Sequence, residues 1–278
     1  MVNLDGILSR PFCHVAYADA GGDGCAVVLT HGAGMDHTMF DGQVAALKRA
    51  GYRPIVWDMP GHGESALLPG RRFSARDALA DLAALLDELK LDAPVLIGHS
   101  LGGNLSQALV RRRPRQIGGL VVMDSTWNTG PLSILERLSL RLAAPMLAMI
   151  PARRLPGLMA RASAVSPDAV ARTEAVFARM PKRAFLDVWR ATVTLVTPDP
   201  AYRSPIPLAL MRGALDRTGN ISTAMARWAR AENITEQVIP GAGHVITLDA
   251  PAATSQALLR VLERWRAEGL IPEGNAQR

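Results

Sequence analysis

The sequence is short of the residues that build disulfide frameworks, metal centres and basic tails. Its two cysteines, Cys13 and Cys25, make no framework and match no metal-ligand spacing, so a soluble protein of a reducing, cytoplasmic setting is expected, with no metal. The N-terminal stretch MVNLDGILSRPFCH lacks the basic start, the long apolar run and the small-residue cleavage site of a secretory leader. The most apolar window, 131–150, holds Glu136, Arg137 and Arg141 and is interrupted by Pro145, so no transmembrane segment is expected. There is no repeat of fixed period and no low-complexity tract. Lysine is nearly absent: Lys48, Lys90 and Lys182 stand among 31 basic residues, and arginine supplies the rest, as GC-rich coding does.

The net charge of +6 has a local origin. Residues 130–205 carry eleven Arg or Lys against five Asp or Glu, a balance of +6 that equals the excess of the whole chain. No aromatic interleaving and no zinc-finger, RNA-recognition or KH signature accompanies it, so nucleic acid is not expected as a partner. The surplus reads first as a solvated face, and second as attraction for an anionic substrate or an acidic carrier protein.

What the chain does have is 278 residues, 49% of them apolar, enough for one large core. Short apolar runs recur at 13–19 (CHVAYAD), 25–30 (CAVVLT), 53–58 (RPIVWD), 94–99 (PVLIGH), 119–124 (GLVVMD), 206–212 (IPLALMR) and 234–239 (ITEQVI). Most are continuous rather than alternating, as strands buried on both faces of a parallel sheet require. Helical patterns lie between them. In FSARDALADLAALLDEL, Ser74 and Asp77 have capping-box spacing, and Leu79, Leu82, Leu86 and Leu89 keep one face. This alternation predicts an α/β fold with a doubly wound, mostly parallel sheet. One connection breaks it: 127–205 shows no convincing strand, only helical pieces separated by Pro145, Pro151, Pro156, Pro167 and Pro181. So long an excursion reads as a helical cap inserted into a core of residues 1–126 and 206–278, above the carboxyl edge of the sheet where ligands bind.

Gly98-His99-Ser100-Leu101-Gly102 sits between a strand and a helix and fits G-x-S-x-G, the strained turn that thrusts a serine hydroxyl above a sheet. A serine needs a base, and the base needs an orienting acid. His244, in PGAGH after the last strand, has the chain position of the base. His37 opens a helix and reads as a surface or capping residue. Asp216, in RGALD, is preferred as the acid because its loop neighbours that of His244; Asp124, which ends GLVVMD, is the alternative. The backbone N–H groups of Leu101 and Ala33, the latter in His31-Gly32-Ala33-Gly34, are the expected oxyanion donors, with Gly34 the fallback.

Together HGAG (31–34), DMPGHGES (58–65), GHSLGG (98–103), RGALD (212–216) and PGAGH (240–244) resemble the α/β-hydrolase superfamily over residues 13–265. The resemblance implies an eight-stranded, mostly parallel sheet, a helical cap and a Ser-His-Asp mechanism without cofactor; it also implies that His62 is structural. Haloalkane dehalogenases and epoxide hydrolases place an aspartate where Ser100 stands. The meta-cleavage C–C hydrolases carry a glycine-proline stretch that HGAGMDHTMF lacks. Esterase or lactonase action on a small ester with an apolar part is therefore expected, with a thioesterase, an acyl-carrier hydrolase or a slow receptor as alternatives. Gly34, Phe40, Trp127 and Trp189 are the candidate substrate contacts. Most cap Leu and Met side chains, Leu135, Leu138, Leu142, Met146 and Met149 among them, are expected to pack as core.

Overall fold

The computed structural model describes residues 2–274, with the backbone alone for Arg141. Nine strands form one sheet: β1 (Gly6–Ser9), β2 (Cys13–Asp19), β3 (Ala26–Thr30), β4 (Arg53–Trp57), β5 (Ala66–Leu67), β6 (Val95–His99), β7 (Gly119–Met123), β8 (Leu208–Gly213) and β9 (Gln237–Ile239). The order is β1-β2-β4-β3-β6-β7-β8-β9, and β5 pairs with β2 off this path. β2 runs antiparallel to β1, β4 and β5, while the pairs from β4 across to β9 are parallel. All seven runs read from the sequence are strands. The sheet has nine strands rather than eight. β1, an edge strand that alternates exposure, and β5, two residues long, bury too little to leave a continuous apolar run.

Among the described residues ten α-helices accompany the sheet: α1 (Asp41–Arg49), α2 (Ala75–Glu88), α3 (Leu101–Arg112), α4 (Ile134–Met149), α5 (Leu155–Ser163), α6 (Pro167–Phe177), α7 (Lys182–Val193), α8 (Ile221–Glu232), α9 (Ile246–Asp249) and α10 (Pro251–Ala267). β3, β6 and β7 are buried at every residue. Successive side chains leave them for opposite layers. Val27, Leu29, Ile97, Val121 and Met123 pack with Leu47 of α1 and Leu258, Leu262 and Trp265 of α10. Val28, Leu96, Leu120 and Val122 pack with Leu82 of α2, Leu105 of α3 and Trp228 of α8. The Ser74 hydroxyl caps α2 by accepting from the Asp77 N–H.

The chain between β7 and β8 forms α4 to α7, and its base is stitched to the loop that carries His244. The Val245 N–H donates to Ser163 O (3.0 Å), and Asp249 Oδ1 accepts from the Val165 and Ser166 N–H groups (2.9 and 2.8 Å). α4 departs from expectation. Leu135, Leu138, Leu142, Met146 and Met149 are exposed rather than core, because α4 packs on α7 through its opposite side. His37 also departs: it is buried, with its ring Nδ1 and its backbone N–H on the two oxygens of Asp58 (3.0 and 2.7 Å). The neighbouring Asp58 carboxylate outweighs burial and raises the His37 pKa.

Candidate active site

β6 ends in a turn that only this sequence pattern permits. Ser100 has φ 51° and ψ −117°, a strained conformation for a residue with a side chain. A Cβ on Gly98 would strike the backbone of Gly102, and one on Gly102 would strike Thr30 and His31. The turn is held from both sides, by Ser100 N–H to Met123 O (2.9 Å) and by the Ser125 hydroxyl to Ser100 O (2.7 Å). Its serine side chain is partly accessible, and the first N–H groups of α3 follow it at once.

The parallel register brings four other strand ends to the same edge. After β8, Asp216 is buried; after β9, so is His244. His244 Nδ1 lies 3.0 Å from Asp216 Oδ2. This pair fixes the tautomer, with the proton on Nδ1 and the lone pair on Nε2. Burial opposes the Asp216 charge, but the His244 ring and the Thr218 N–H (2.7 Å) hold its pKa down at about 2. Among the described residues His244 makes this one side-chain hydrogen bond. No hydrogen bond joins His244 Nε2 to the Ser100 hydroxyl among the described residues.

Asp124, at the end of β7, is fully buried with φ 42°. Its Oδ1 accepts from the Gly213 N–H (2.8 Å), while Oδ2 has no partner among the described residues. Asp124, Asp216 and His244 each offer an atom within 4.8 Å of the others. Burial, and after it the charge of Asp216, push the Asp124 carboxyl well above the usual range. A proton on Oδ2 satisfies that oxygen and gives Asp216 a donor. The trio also has metal-binding proximity. However, His244 Nδ1 and Asp216 Oδ2 are bonded to each other, so a cation held between those two atoms would have to break that pair.

On the other side of Ser100 lies the turn after β3. The buried His31 ring donates from Nδ1 to Gly32 O (2.8 Å) and accepts at Nε2 from the Met59 N–H (2.9 Å), tying this turn to the end of β4. Burial drives its pKa down, so it stays neutral. The turn closes with Met35 N–H on Gly32 O, leaving the Ala33 N–H outside its hydrogen bonds. A Cβ on Gly32 would lie 2.6 Å from His99 Nδ1 and 3.3 Å from Ser100 Cβ, so only glycine lets the turn approach the serine this closely. Gly34 (φ 74°) faces Phe177 and Phe185 from α6 and α7, and Phe185 leans on Trp189. Gly34 and Trp189 thus belong to one apolar wall. Phe40 is completely buried in the same core cluster as Phe177 and Phe185. Trp127 is stacked on Trp228 at 5.9 Å, within the layer of α2, α3 and α8. His62 is buried between His31 and Phe73, its pKa pushed to about 3 by burial.

Two residues that sequence reasoning passed over organise the His244 loop. The His99 Nε2 donates to the His244 carbonyl at 2.7 Å, and the two rings sit 4.8 Å apart. Burial, then repulsion by His244, hold its pKa near 3, so it stays a neutral donor. A polar ring beside Ser100 in an otherwise apolar strand end was the available signal. Asp249 accepts from the Gly243 N–H (2.8 Å) as well as from Val165 and Ser166. Nothing local in the sequence marks it.

The comparisons agree with this architecture. A 2-hydroxy-6-oxononadienedioate/2-hydroxy-6-oxononatrienedioate hydrolase of Burkholderia vietnamiensis is 37% identical over 114 residues, 39% of this chain and 39% of that protein. The chain matches 27–40% of the length of this and other curated relatives. A thermophilic esterase from Thermogutta terrifontis superposes over 91% of this chain and 94% of its own, with TM-score 0.76 and 25% identity. A hydrolase from Pseudomonas aeruginosa PA01 shares the fold at TM-score 0.78 and 22% identity, over 94% of this chain and 98% of its own. Residues 27–257 match the Alpha/beta hydrolase family, and the chain belongs to it.

Proposed function

We propose that the chain is a cytoplasmic serine hydrolase that cleaves a small carboxylic ester or lactone through an acyl-enzyme on Ser100. The observation that carries this reading is the strained Ser100 at the head of α3, facing the edge where His244 is bonded to Asp216. In the first half-reaction, His244 Nε2 takes the Ser100 proton as Oγ adds to the carbonyl carbon. The Leu101 and Ala33 N–H groups hold the resulting oxyanion, where loss of one donor costs other enzymes about 3–4 kcal/mol. The imidazolium, steadied by Asp216, then protonates the leaving alkoxide. In the second half, water adds to the acyl-enzyme with His244 as base, releasing the acid and restoring Ser100. The segment 127–205 acts as a cap, and Gly34, Phe185 and Trp189 form the apolar wall for the substrate.

A second reading is hydrolysis of a 2-hydroxy-6-oxo dienedioate, the substrate class named for the Burkholderia relative. The first reading is tested by the intact mass of wild type and Ser100→Ala after treatment with a small fluorophosphonate. One adduct on wild type and none on the variant is expected; no adduct on folded wild type refutes an activated Ser100. A panel of esters, lactones and that dienedioate then separates the two readings.

A further inference from the structure

α4 presents to solvent a face that its sequence would ordinarily bury. Ile134 (86% exposed), Leu135 (72%), Leu138, Leu142, Met146 and Met149 (78%) all project from it. At about 100° per residue, these six fall within about 120° of the helix circumference. The opposite side carries Ala144, Leu140 and Leu147, which are buried or partly buried as α4 packs on α7. Both flanks of this helix are therefore apolar, and among the described residues only one has a partner. A contiguous stripe of large aliphatic side chains differs from the isolated exposed leucine of an ordinary surface.

The charges around the stripe indicate what covers it. Residues 137–167 contain five arginines and no Asp or Glu. Arg137 is exposed at the N-terminal end of α4, and Arg153 and Arg154 are exposed just beyond its C-terminal end. The single acid of the helix, Glu136, is turned away and spent: it bonds the Ser133 N–H, Asn220 and Arg227, which hold its pKa at about 2 against burial. A second copy of the chain on this face would bring arginines against arginines with no carboxylate to separate them. Aliphatic side chains bracketed by arginine match the boundary between acyl chains and anionic headgroups. We propose that the α4 face docks on a lipid surface bearing anionic phospholipid. This surface is distinct from Ser100, and docking does not depend on turnover there.

The test is co-sedimentation of the full-length protein, wild type and Ser100→Ala, with phosphatidylcholine vesicles and with vesicles containing about one third phosphatidylglycerol. Both proteins are expected to bind the anionic vesicles about tenfold better than the neutral ones, and to be released by high salt. The triple variant Leu135→Ser/Leu138→Ser/Leu142→Ser changes only exposed positions. It is expected to keep its circular dichroism and melting temperature while losing about tenfold or more in vesicle binding. Equal binding to both vesicle types, binding to neither, or undiminished binding by the folded triple variant would overturn the proposal. So would sedimentation equilibrium showing a wild-type dimer that the triple variant cannot form, since a second copy would then cover the face.

Discussion

Replacing Asp124 with asparagine should make the protein more stable, by an amount that grows with pH. Asp124 is fully buried, one oxygen accepts from the Gly213 N–H, and the other lies unpartnered beside Asp216. Burial, then the Asp216 charge, raise its pKa well above the ordinary value, so the folded state keeps a proton that the unfolded chain releases near pH 4. For a group whose folded pKa is raised, the linked stability is fully present below the unfolded value and is lost as pH rises through the folded one. Within that window each pH unit costs wild type about 1.4 kcal/mol. An asparagine keeps the acceptor for Gly213, supplies a permanent donor to Asp216, and has no proton to lose. The gap in unfolding free energy between Asp124→Asn and wild type should therefore widen as pH rises above about 5, by up to about 1.4 kcal/mol per pH unit, until the pH passes the folded pKa. Urea unfolding at pH 5, 6, 7 and 8 measures it. A gap that stays constant across that range would refute a protonated Asp124. A variant less stable than wild type at every pH would refute the donor role as well.

Asp216→Asn should cut kcat by about 10³–10⁴ on a soluble ester, as loss of the orienting acid does elsewhere, while leaving fluorophosphonate labelling slow but detectable. The same variant should show the linkage of a depressed pKa. Wild type gains about 2 kcal/mol from Asp216 above pH 4 and loses it as pH falls toward 2, and Asp216→Asn lacks that acid limb. His99→Leu removes the donor to the His244 carbonyl and should lower kcat about tenfold with KM little changed; a wild-type kcat would show that His99 does not position the base. Gly102→Ala puts a methyl group against the Thr30 and His31 carbonyls and should cost about 4 kcal/mol or more in urea unfolding, so an unchanged midpoint would refute the close approach.

Much of the molecule was legible because its signals are local. Seven strands showed as short, mostly apolar runs, most plainly β3, β6 and β7, where burial on both faces leaves polar residues little place. Ser100 showed through the glycines around it, which the strained turn demands at Gly98 and Gly102. That the loops of His244 and Asp216 meet showed through their places after the last two parallel strands, because the winding of the sheet delivers those loops to one edge. The remainder depends on contacts that chain order does not encode. β1 and β5 are stabilised by pairing with β2 rather than by their own composition. His37 read as a surface residue because its partner, Asp58, lies twenty-one positions away. The leucines of α4 read as core because a helix hydrophobic on both sides does not reveal which side is covered. Asp124 and Asp216 looked like competitors for one role, and only the tertiary arrangement separates them. It sets the two buried carboxyls near each other, one keeping its charge because His244 faces it, and the other favouring its proton through burial and, after it, the charge of Asp216.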